Sequence, residues 1–144
     1  MGRRALWIVL LLLWAAGEFA PLAAAQTSRP PTPPGSTRLT LVQAVVCEEI
    51  RDGVPANSAV AFSVSTGKIY CFTTFDAVAE DTFVFHQWFF RDRPSSRIRL
   101  SVKAPRWNTF SSIQLREADR GPWRVEIQDA SGRVLKTLRF SVTD

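Results

Sequence analysis

A two-residue alternation that returns about every ten residues constrains this chain most. In Arg97–Lys103, Ile98, Leu100 and Val102 fall on one side, and Arg97, Arg99, Ser101 and Lys103 on the other. Trp123, Val125 and Ile127 alternate with Arg124, Glu126 and Gln128, and the last run puts Leu138, Phe140 and Val142 on one face. Ser58–Val64 aligns Val60, Phe62 and Val64, and the turn Ser65-Thr66-Gly67 leads into Lys68–Thr74. Side chains of a strand point alternately to its two faces, so this pattern describes half-buried antiparallel strands.

The punctuation agrees with that reading. Asp52-Gly53, Asp92-Arg93-Pro94, Asp119-Arg120-Gly121-Pro122 and Asp129-Ala130-Ser131-Gly132 are turn chemistry, with Gly supplying left-handed positions and Asp capping its own turn. No helical period persists after residue 38, and Val78–Asp81 is the one place for a short helical turn. The expectation is an all-β, immunoglobulin-like antiparallel β-sandwich of about seven or eight short strands. Thr82–Phe90 (TFVFHQWFF) is apolar on both sides, which predicts a mid-sheet position or a covering loop.

The N-terminal segment reads differently. Arg3 and Arg4 precede a 12-residue apolar run, Ala5–Ala16, and Ala23-Ala24-Ala25 offers the small residues that signal peptidase requires before Gln26. The run is short of the roughly 20 apolar residues of a membrane span. Residues 1–25 are therefore expected to be a cleaved signal peptide, cut after Ala25, that sends the protein to the periplasm or outside the cell. No transmembrane span is expected after cleavage. Gln26–Thr37 carries four Pro in twelve residues and reads as a semi-stiff linker, with the folded domain at 38–144. Export also places the chain where disulfides persist. Cys47 and Cys71 are the only cysteines, so their pairing is the expected disulfide, closing a loop worth roughly 3 kcal/mol in the chain-entropy model.

Composition closes several doors. With one His in the chain, neither a blue-copper site nor a facial-triad iron site can be assembled. A zinc site from Cys47, Cys71 and His86 would need a carboxylate as well, and its spacing is no recognised metal signature. No cofactor is expected. Ser111 or Ser112, His86 and Asp76 or Asp81 can be written as a triad, yet no G-x-S-x-G elbow is present. Glu48, Glu49, Glu117 and Asp119 supply carboxylates, but adjacent strand residues face opposite ways. Nothing points to an enzyme. His86 and Trp88 share a strand face; they read either as a hydrogen-bonded core pair or as an alternative ligand site for a glycan or lipid.

Charge is more informative. Without residues 1–25 the chain keeps 16 basic and 12 acidic residues, net +4, while Arg91–Arg106 alone carries six basic residues against Asp92. Those six are Arg91, Arg93, Arg97, Arg99, Lys103 and Arg106, and Trp107 follows at what reads as a strand entrance. The segment is either a solvated face that guards an edge strand, or a surface for an acidic envelope protein or anionic envelope polymer. Nucleic acid is not expected, because the compartment is wrong and the aromatic-basic platform too small. Reversing Arg97 and Arg99 to Glu is then expected to abolish binding with the melting temperature nearly unchanged.

Taken in order, VVCEEI, GKIYCFTTF, HQWFF, PRWNTFSS, GPWRVEIQDASGRVL and LRFSV resemble a bacterial exported family, the domain of unknown function 2914, over about Val45–Val142. The resemblance implies a domain often found at the C-terminal end of envelope proteins and brings no catalytic residue. The reading at this level is a noncatalytic exported binding or protein-interaction module using its basic face. A glycan or lipid site at His86 and Trp88 is the alternative, and an accessory subunit of an envelope enzyme a third. The oligomeric state is not legible.

Overall fold

The computed structural model describes residues 38–144, and within them the alternating segments become nine strands in two sheets. The strands are β1 (Thr40–Arg51), β2 (Val54–Ser58), β3 (Ala61–Ser63), β4 (Lys68–Asp76), β5 (Thr82–Phe90), β6 (Arg93–Val102), β7 (Trp107–Gln114), β8 (Gly121–Gln128) and β9 (Val134–Thr143). One sheet has the order β2-β1-β4-β7 and the other β3-β9-β8-β5-β6. Their inner faces enclose a core that includes Val46, Phe62, Ile69, Cys71, Phe75, Val84, Trp88, Val102, Trp123, Val125, Ile127, Phe140 and Val142. The architecture is a β-sandwich, and the sheets do not close on each other. The expected signal peptide and linker lie outside the described residues.

Nine strands stand where seven or eight are expected because Ser58–Val64 is not one strand. The chain leaves the first sheet at the end of β2 and joins the second as β3, which pairs in parallel with β9. Val60, in the crossing, is 75% exposed, whereas Phe62 is buried. Val78–Asp81 forms no helical turn; the short 3-10 turns are Val64–Thr66 and Glu117–Asp119. The β5–β6 hairpin turns on Arg91 (φ 47°) and Asp92 (φ 63°), both left-handed as a two-residue type I′ loop demands. At the β8–β9 turn, the Asp129 carboxylate accepts from the backbone N–H groups of Ser131 and Arg133, the Ser131 hydroxyl and the Arg133 guanidinium. Burial pushes that carboxyl up, but these hydrogen bonds outweigh it and hold Asp129 below the usual range.

The expected disulfide is not formed: Cys47 and Cys71 are free, buried thiols. The register explains this. In the β1–β4 pair Val46 lies opposite Cys71, and Cys47 lies opposite Tyr70. Paired residues share a face and neighbours alternate, so Cys71 points into the core with Val46 while Cys47 points to the outer face. Two side chains on opposite faces of a sheet cannot meet the geometry of an S–S bond. Burial pushes both thiols up, and Cys47 raises Cys71 further, so both are held in the unreactive protonated form.

Candidate functional site: an arginine–phenylalanine face

Strand β5 is apolar on both sides because both sides are covered, by different means. Its inner residues Val84, His86 and Trp88 are buried against the facing sheet. Its outer residues Phe83, Phe85 and Phe89 lie under arginines from the neighbouring strands β6 and β8. The Arg99 guanidinium sits 3.9 Å from the Phe83 ring centroid, Arg97 is 3.7 Å from Phe85, and Arg124 is 3.8 Å from Phe89. The register produces these contacts. Phe85 is paired with Arg99 and Gln87 with Arg97, so each of these arginines reaches diagonally to the next ring, whereas Arg124 lies directly opposite Phe89. A guanidinium over an aromatic face is attracted by the ring and can still donate through N–H groups that no other residue takes.

The six basic residues singled out in the sequence divide into groups. Arg97 and Arg99 are exposed on the outer face of the five-stranded sheet, and neither has a carboxylate in salt-bridge range among the described residues. Arg97 donates to Gln128 Oε1 at 3.4 Å. Lys103 is paired with Asp81 at 2.9 Å and Arg106 with Asp76 at 3.6 Å. The Lys103 hydrogen bond, together with the Ala104 N–H, holds the Asp81 carboxyl below its ordinary range. Arg91 lies over Phe90 and donates to the Arg120 carbonyl, fitting against Gly121, where a Cβ would meet Arg91 Nε at 3.3 Å. Arg93 is exposed at the start of β6, opposite Phe90 in the hairpin. Trp107, 40% exposed, is on β7 of the other sheet and shares the face of Phe75, so the structure does not place it with Arg97 and Arg99.

Sequence reasoning missed Phe83, Phe85, Phe89 and Arg124 as members of this face. The available signal was the doubly apolar β5 next to an arginine-alternating strand. The mid-sheet position expected for Thr82–Phe90 is what β5 takes, between β8 and β6, while its outer side is covered by arginines and not by a loop. Arg124 differs from the other two in being neutralised, by Glu126 at 3.2 Å and by Asp92 at the hairpin tip.

The alternative pair, His86 and Trp88, is fully buried. Thr73 Oγ1 donates to the Thr109 carbonyl, so it can only accept from His86 Nε2–H, at 3.3 Å. That assigns the neutral Nε2–H tautomer and makes Nδ1 an acceptor for the Ser111 hydroxyl at 2.8 Å. Ser111 Oγ in turn accepts from Trp88 Nε1–H at 3.1 Å. Every polar atom of the pair is used inside the fold, and a ligand would have to open the core to meet it. Burial pushes His86 down to about 4, which keeps the ring neutral. Ser111 and His86 are thus in contact, but Thr73 rather than a carboxylate holds the second ring nitrogen, and Asp76 and Asp81 are committed at the surface. Cys47, on the outer face, does not converge with Cys71 and His86.

Residues 81–142 match the family model of a protein of unknown function, DUF2914, the family that the sequence motifs resemble. The match takes in β5 to β9, hence the whole arginine–phenylalanine face, and leaves out the motifs on β1 and β4. No curated protein matches the chain. Among solved structures the chain is similar to part of a β-glucosidase from Listeria innocua in complex with glucose, at 10% identity and a TM-score of 0.45. The likeness covers 76% of this chain and 16% of that one.

Proposed function

We propose that this domain is an exported, noncatalytic binding module that recognises an anionic partner, an acidic envelope protein or anionic envelope polymer, through the outer face of its five-stranded sheet. One observation carries the reading: Arg97 and Arg99 are held over Phe85 and Phe83 with no carboxylate in salt-bridge range among the described residues. A guanidinium already fixed in place loses little side-chain freedom on binding, and its fork of N–H donors fits carboxylate or phosphate oxygens. The two sit two residues apart on one strand, about 7 Å, so they meet successive anionic groups of an extended partner. Arg124 is neutralised and contributes shape more than charge. The apolar run and Ala-Ala-Ala of residues 1–25 support export.

Retention on immobilised polyglutamate and on polyphosphate tests this, with full-length protein and with R97M/R99M, which keeps an apolar cover over the rings. The wild type is expected to bind with a salt-sensitive affinity, because exposed charges are screened over about 8–10 Å at physiological ionic strength. The double variant is expected to lose binding, whereas K103M/R106M retains it. Unaltered binding by R97M/R99M overturns the proposal.

A further inference from the structure

Among the described residues, the two sheets leave a lateral seam in which two strand edges face a groove. Strand β9 pairs with β8 along its length, but on its other side β3 covers only Ser141–Thr143. Strand β1 pairs with β4 from Thr40 to Cys47, and β2 reaches only Cys47–Arg51 on its other side. The alternation of backbone groups shows which ones face the seam. Ser141 N–H donates to the Val60 carbonyl, so the backbone groups of Arg139 and Thr137, two and four residues before it, point to the same edge. Val46 accepts from Ala59 N–H, which likewise turns the backbone groups of Ala44 toward the seam. No backbone hydrogen bond among the described residues takes the edge groups of Thr137, Arg139 or Ala44.

The groove beside these edges has room. A cavity of about 360 Å³ is lined by residues including Ala44, Val46, Val60, Thr137, Leu138 and Arg139, and a second of about 340 Å³ shares Ala44 and reaches Lys136. The uncovered part of β9, Val134–Phe140, spans about 23 Å at the ~3.3 Å rise of a strand. Apolar side chains form the wall, with Arg139 on the outer side of β9 and Lys136 on its inner side; no acidic side chain is among the described lining residues.

We propose that this seam takes an extended acidic segment of another protein as an added strand on β9. Its backbone would bond the edge groups of Thr137 and Arg139, its inward side chains would be small and apolar against Leu138, Ala44 and Val60, and its outward carboxylates would meet Arg139, which shares the outer face of the sheet with Arg124. Strand addition draws affinity from main-chain bonds and selectivity from alternate side chains. The charges also argue against a second copy as occupant: pairing β9 with β9 would set Lys136 and Arg139 of each copy against those of the other.

The test uses full-length protein and a capped octapeptide alternating Val and Glu, with a Val–Lys octapeptide as control. Binding of the Glu peptide is expected to protect the Thr137, Arg139 and Ala44 amides from hydrogen exchange, and the Lys peptide is expected not to bind. Arg139→Glu is expected to weaken the Glu peptide roughly fivefold and to favour the Lys peptide. Thr137→Pro removes a donor that points away from β8, so it is expected to abolish peptide protection while leaving the β8–β9 ladder protected. Protection confined to the Arg97 and Arg99 face, equal binding of both peptides, or an edge already protected in a self-associated protein overturns the proposal.

Discussion

The two faces of β5 carry nearly the same hydrophobicity and have opposite fates. Inward, Val84, His86 and Trp88 are closed off by the facing sheet, and the polar atoms among them are consumed in a chain from Trp88 through Ser111 and His86 to Thr73 and the Thr109 carbonyl. Outward, Phe83, Phe85 and Phe89 are roofed by guanidinium groups, of which those of Arg97 and Arg99 stay exposed. Burial by a sheet removes a surface from use. Burial under long cationic side chains shields the rings yet keeps the surface charged.

Removing the Ser111 hydroxyl should break the inner face most severely. Ser111→Ala strands both Trp88 Nε1–H and His86 Nδ1 without partners in a dry core, and an unsatisfied buried group costs about 1–3 kcal/mol. A loss of about 2–4 kcal/mol is expected in denaturant unfolding, against little for Ser112→Ala on the outer face. The pH response of the inner face is nearly as large. His86 titrates near 4 in the folded protein and near 6.5 when unfolded, so the unfolded chain binds more protons between these values. The His86 contribution is therefore fully present above pH 6.5 and falls as the pH drops toward 4, by about 3 kcal/mol in all. Unfolding of wild type and His86→Asn at pH 7.5 and 4.5 separates this slope from that of the carboxylates; a slope equal in both proteins would remove His86 as its cause.

The outer face should respond more mildly in stability and more strongly in binding. R97E/R99E loses two cation–π contacts as well as two charges, so a cost of about 1–2 kcal/mol is expected. This revises the expectation that the melting temperature stays nearly constant, since the arginines cover rings that the sequence did not assign to them. R97M/R99M keeps the cover and is expected to unfold within about 1 kcal/mol of wild type while losing anion binding. The smallest effect belongs to Cys47. With its thiol protonated and on the opposite face from Cys71, Cys47→Ser is expected to change the melting temperature equally with and without a reductant. A mass two hydrogens below the reduced chain in the native protein would refute the free-thiol assignment.

The alternation in Arg97–Lys103, in β8 and in β9 was enough to establish strands, the inward sets and the β-sandwich, because side-chain direction in a strand is a local property of the backbone. The turn at Asp129–Gly132 was legible for the same reason, its hydrogen bonds all closing within five residues. Register is not local. Whether Cys47 or Val46 faces Cys71, whether Arg97 lies over Phe85, and whether Ser58–Val64 stays in one sheet or crosses to the other depend on pairing between segments far apart in the chain. A one-residue slip would exchange every inner and outer side chain. The sequence by itself therefore determined which residues seek burial and where the positive charge lies; the tertiary structure decided which face each cysteine takes, what covers β5, and which strand edges were left unpaired.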